Sequence, residues 1–123
     1  MSKQVFISWD IDGTLILGTN ATKFHLEAFK LACEELFGPC DTPEPFLGRS
    51  IDGWMDKGII KAMIEKIGAE ASEENIAKAQ ARMEDIFIET CTEVPEVPVG
   101  VIDTLEYLVK QPNVTMGVAS GNF

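Results

Sequence analysis

Two short runs with strand patterning stand near opposite ends of this chain, and most of what lies between them repeats at helical spacing. Residues 4–9 (QVFISW) are rich in β-branched and aromatic side chains and run straight into the turn signal Asp10-Ile11-Asp12-Gly13, the pattern of a short buried strand. Residues 114–119 (VTMGVA) form a second such run, leading into the polar loop Ser120-Gly121-Asn122. Strands separated by helices rather than a tight turn are expected to pair through an α/β crossover.

The helical signals are regular. Over residues 23–37, Leu26, Phe29, Cys33, Leu36 and Phe37 fall on one face, and Gly38-Pro39 supplies the stop. Three prolines and Gly48 between Gly38 and Ser50 predict a constrained loop. Met55, Ile59, Ile60, Met63, Ile64 and Ile67 then make a second face ending at Gly68. Ser72 is placed to cap a third helix carrying Ile76, Ala79, Met83, Ile86 and Phe87, with Glu73 and Glu74 suited to its positive end. After Pro95 and Pro98, residues Val101, Leu105, Leu108 and Val109 mark a short helix. One crossover needs fewer helices than this, so residues 18–98 are expected to be a helical lobe inserted between two parts of a core, residues 1–17 and 99–123.

Composition narrows the function. Acidic residues outnumber basic ones 20 to 10 over 123 residues, and no Lys or Arg stripe exists to neutralise a nucleic-acid backbone, which argues against a nucleic-acid partner. That field also opposes an anionic ligand unless a local cation reverses it. Cys33, Cys40 and Cys91 have no CxxC spacing and suggest neither a disulfide framework nor a zinc site. The N-terminal apolar run is too short for a signal peptide, and no segment approaches the roughly 20 apolar residues of a membrane span. A soluble, cytoplasmic protein with no membrane partner is the expectation.

Asp10 and Asp12 carry the chemistry. If strand geometry persists through them, both carboxylates face one side of the sheet edge. At about 5 Å and an effective dielectric of about 20 they repel by roughly 3 kcal/mol, so either a cation offsets the charge or one carboxyl holds a proton. Both outcomes serve phosphoryl transfer, in which an ionised Asp attacks phosphorus and a protonated neighbour gives its proton to the departing alkoxide. Gly13 lets the backbone turn beside a ligand, and the Thr14 hydroxyl can bond a carboxylate or phosphate oxygen. A pair of turn carboxylates is the bland alternative. An EF-hand is excluded, because its sixth position would be Leu15 rather than Gly.

A hydrophobic strand followed by Asp10-Ile11-Asp12-Gly13-Thr14-Leu15 resembles the first motif of the haloacid dehalogenase-like hydrolase superfamily. The resemblance implies an α/β fold, here part of a Rossmann-like, doubly wound parallel sheet with an inserted helical cap. It implies Asp10 as nucleophile and Mg²⁺ ligand, and Asp12 as general acid/base that also binds Mg²⁺ through its backbone carbonyl. Dehalogenases in the family lack the second Asp, so Asp12 points to the phosphatase branch. Val118-Ala119-Ser120-Gly121-Asn122 is similar to the second motif, which assigns phosphate binding to Ser120, Gly121 and Asn122 along with Thr14.

Two weaker matches, His25-Leu26-Glu27-Ala28-Phe29 to an HxxAF pattern and Gly48-Arg49-Ser50 to a GxS cap loop, resemble the phosphoglycolate phosphatase and β-phosphoglucomutase subgroup. They make His25 and Arg49 candidate substrate contacts from the cap. A helix histidine with an ordinary structural partner and a solvated loop arginine are the alternatives.

The function implied is Mg²⁺-dependent hydrolysis of a small phosphorylated metabolite, with a phosphomutase as the close variant. The family's third-motif Lys and fourth-motif acidic residues normally follow the second motif, whereas Lys3 and Lys110 precede it in sequence. The expectation is therefore that a C-terminal remainder of the chain or a swapped partner completes the core. A different class of reading is a catalytically silent fragment whose helical lobe is a binding module.

Overall fold

The computed structural model describes residues 3–17 and 20–121. The described residues form a mixed α/β structure in the order β1 (Val5–Trp9), α1 (Asn20–Leu36), α2 (Pro43–Leu47), α3 (Asp56–Ile67), α4 (Glu73–Thr90), α5 (Val101–Val109) and β2 (Val114–Val118). The contacts divide into two compact units. One comprises residues 3–17 with Val94–Ser120, and the other Asn20–Glu93 with Gly121.

In the first unit, β1 and β2 pair in parallel, with Val5 opposite Val114 and Trp9 opposite Val118. The indole N–H of Trp9 donates to the thioether sulfur of Met116 at 3.4 Å, fastening the C-terminal half of the pair. Gly117 is needed by its neighbour, because a Cβ there would lie 3.1 Å from Cζ of Phe6. Helix α5 packs against β2. It is entered through Gly100 at φ 89°, a left-handed conformation that glycine adopts without strain. None of this unit's described residues is fully buried.

The helical unit holds the core. Ala28, Phe29, Ala32 and Cys33 from α1 meet Ile59, Ile60, Met63 and Ile64 from α3 and Ile76, Ala79, Met83 and Ile86 from α4. The small residues Ala28 and Ala32 centre the buried stripe of α1, while Leu36, expected on that stripe, is 40% exposed. Two helix ends have a clear local cause. Ser72 caps α4, its hydroxyl accepting the Asn75 N–H at 3.1 Å. Gly68 closes α3 at φ 98°, its N–H donating to the carbonyls of Ile64 and Glu65.

The stretch expected to be all loop contains α2. Pro43 stands at the start of that helix, where a fixed φ and a missing N–H are tolerated, and Gly48 ends it in the left-handed region. Met55 also departs from its expected place on the apolar face. It precedes α3 and is 65% exposed.

Candidate active site

Parallel pairing sets the geometry. Trp9 and Val118 are the last residues of their strands and lie opposite one another. The N–H of Ala119 extends the ladder by donating to the Trp9 carbonyl at 2.8 Å. Asp10 and Ser120 therefore leave the same end of two adjacent strands, the C-terminal edge where open α/β sheets bind ligands. Asp10 is exposed and Ser120 half-buried.

After Asp10 the chain folds into a tight turn, and this corrects the premise on which the two carboxylates were aligned. β1 stops at Trp9, so strand alternation does not reach Asp12. The Ile11 carbonyl instead accepts the N–H groups of Thr14, Leu15 and Ile16 at 3.2, 2.9 and 3.1 Å, and the Gly13 N–H donates to the Ile16 carbonyl at 2.7 Å. Gly13 has φ 77°, which a side chain at that position would resist. Asp12 and Thr14 are exposed on this turn. The Leu17 N–H donates to the Glu96 carbonyl at 2.8 Å, returning the chain to the same unit.

Among the unit's described residues, the charged side chains at this edge are acidic. The unit's two basic residues, Lys3 and Lys110, precede β1 and β2 respectively, and so belong to the opposite, N-terminal end of the parallel pair. A dianionic phosphate beside Asp10 and Asp12 thus finds no cationic side chain from its own unit's described residues, and a hard cation with oxygen ligands is the chemistry that would offset the charge. The Asp10 carboxylate would meet the minimum for Mg²⁺, which keeps several waters and usually takes one or two protein carboxylates together with the substrate's phosphate. Among the described residues, no group of three or more His, Cys, Asp or Glu side chains gathers as a larger metal site would require. Next to Trp9, a hollow of about 230 Å³ is lined by Val99, Gly100, Val101, Thr104 and Leu105.

The remaining candidates belong to the helical unit or lie outside the description. Gly121 groups with the helical unit, its carbonyl accepting the Asp56 N–H at 2.9 Å. Asn122 lies outside the described residues. Arg49, in the loop after α2, stacks its guanidinium 4.5 Å from the centroid of the Trp54 ring.

His25, on α1, has a specific partner that sequence reasoning missed. Its Nε2 is 2.9 Å from Oδ2 of Asp56, a residue only 4% exposed. The imidazole also stacks on Phe29, with centroids 5.2 Å apart, and meets the edge of Phe87. An Asp at the start of an apolar-faced helix ordinarily reads as a solvated N-terminal charge. The one available signal was that Asp56 falls three positions before Ile59, on the buried side of α3.

No family model matches this chain, and a search of curated proteins finds no significant match. No helix among the described residues is long and apolar enough to cross a membrane.

Proposed function

We propose that this chain carries the nucleophile-bearing part of a phosphoric monoester hydrolase acting on a small phosphorylated metabolite. The observation that carries the reading is the emergence of Asp10 and Ser120 from the same end of two adjacent parallel strands. Around that edge the reading supposes a Rossmann-like core, with the helical unit as its cap and a cytoplasmic setting.

In this reading an Asp10 carboxylate oxygen attacks phosphorus while the ester P–O bond breaks, leaving an aspartyl phosphate and an alkoxide. Asp12 gives its proton to that alkoxide. It then accepts one from the water that attacks phosphorus and releases the Asp10 carboxylate with inorganic phosphate. The Ser120 hydroxyl and the backbone N–H groups after it hold phosphoryl oxygens, and the Thr14 hydroxyl steadies a carboxylate or phosphate oxygen. Asp10 and the Asp12 backbone carbonyl would hold Mg²⁺, which would supply positive charge at this edge. Transfer of the phosphoryl group to a second sugar hydroxyl instead of water would make the same site a phosphomutase, and product analysis separates the two.

The test is hydrolysis of p-nitrophenyl phosphate with Mg²⁺ by the wild-type chain and by Asp10→Asn. The expected result is turnover by the first and none by the second, and activity retained in Asp10→Asn would refute the assignment. A second reading, a catalytically silent chain whose helical unit binds a partner, is favoured by the absence of a basic side chain at the Asp10 edge among its unit's described residues. Beryllium fluoride distinguishes them, because an adduct on Asp10 supports catalysis and its absence supports the silent reading.

A further inference from the structure

Helix α3 begins without a side-chain cap. Met55 occupies the N-cap position with φ −81° and ψ 145°, and no side chain there accepts a first-turn N–H. The first N–H groups of any helix lack intrahelical partners, so another acceptor must serve them. For Asp56 that acceptor is the carbonyl of Gly121, at 2.9 Å.

Gly121 approaches α3 more closely than any other residue type would. A Cβ on it would lie 3.2 Å from the Trp54 carbonyl oxygen and 3.4 Å from the Met55 Cα. Both are backbone atoms of the same short entry into α3, which cannot rotate away as a side chain can. On the other side of this bond, the Asp56 carboxylate is held by Nε2 of His25 at 2.9 Å, and His25 is itself stacked on Phe29 and set edge-on to Phe87.

We infer that Asp56 is a positioning residue: His25 fixes its side chain, and its backbone N–H in turn fixes the Gly121 carbonyl, setting the path of the chain directly after Ser120. The geometry lies wholly within the helical unit. Only the consequence for a phosphoryl group rests on the reading of Ser120 proposed above. His25 thereby acts through Asp56, with no need to touch a substrate.

The experiment is backbone NMR of the full chain without any phosphate ligand, comparing wild type with His25→Ala, His25→Gln and Gly121→Ala. In His25→Ala, exchange of the Asp56 amide should rise by roughly tenfold and the Gly121 carbonyl carbon should shift upfield, while the amide chemical shifts of Ala79 and Met83 in α4 stay in place. His25→Gln, whose side-chain amide can still donate to the carboxylate, should restore both signals. Gly121→Ala should accelerate the Asp56 amide with the His25 ring signals unmoved. Unchanged Asp56 exchange in His25→Ala, or acceleration throughout α3 and α4 with an unshifted Gly121 carbonyl, would overturn the inference. Neither readout involves phosphate chemistry, so failure of p-nitrophenyl phosphate hydrolysis would count against the phosphatase reading alone.

Discussion

Nε2 of His25 and Oδ2 of Asp56 lie 2.9 Å apart across residues 31 positions distant in sequence, joining α1 to the first turn of α3. Asp56 is almost fully buried, and its carboxylate depends on that partner. His25→Ala should therefore destabilise the chain by about 2 kcal/mol in urea unfolding, because it strands a buried charge and removes the ring stacked on Phe29. Asp56→Asn keeps an acceptor and sheds the charge, so its cost should be smaller, about 1 kcal/mol. The reverse order would mean that the pair is not what holds α1 to α3.

Ser72 makes a simpler case. Its hydroxyl satisfies the Asn75 N–H at the start of α4, which alanine cannot do. Ser72→Ala should lower stability by about 1 kcal/mol, and Ser72→Asp should retain most of it. Thermal unfolding followed by circular dichroism reads both.

The three helices of the core were legible because their burial follows simple periodicity. Ile59, Ile60, Met63 and Ile64 announce α3, and Ser72 with Glu73 and Glu74 announces α4. Helix α2 was hidden, since Pro43 reads as a breaker until its place at the first helical position is known. On α1 the large Leu36 fits the helical spacing yet lies outside the buried stripe, which is centred on the small Ala28 and Ala32.

At the candidate site the two strand runs and their terminal residues were readable, but the register opposing Trp9 and Val118 was not. Asp56 was invisible for a related reason. Its meaning comes from His25 on another helix, and periodicity within one segment says nothing about partners elsewhere.

Cysteine chemistry offers a pH-dependent test. Burial, with a smaller contribution from nearby Cys40, pushes the Cys33 thiol from an ordinary 9.0 up to about 12. At pH 8 its thiolate fraction is on the order of one in ten thousand, so iodoacetamide should leave Cys33 unmodified in the folded chain and label it in urea. The sign for stability follows from the raised value. The unfolded thiol ionises first, so Cys33's contribution is complete below about pH 9 and is lost as pH climbs toward 12. Mass spectrometry of peptides after timed alkylation measures the first effect, and urea midpoints between pH 8 and 11 the second.

Ser120 tests the phosphate-holding role apart from the nucleophile. With p-nitrophenyl phosphate, Ser120→Ala should lose about a hundredfold in kcat/KM, while Ser120→Thr, which keeps the hydroxyl, should lose less. Equal activity in Ser120→Ala and wild type would remove Ser120 from the site.

The bond between Trp9 and Met116 spans 107 residues of sequence, and this separation has a kinetic meaning. Closing so long a loop carries an entropic cost before any pairing energy is recovered, and no described residue of the strand unit is buried deeply enough to drive that closure. The helical unit has a buried apolar interior of its own, contributed by α1, α3 and α4. Its collapse should come first and draw the two strand segments toward each other, so that Asp10 and Ser120 become neighbours only in the last step of folding and separate in the first step of unfolding.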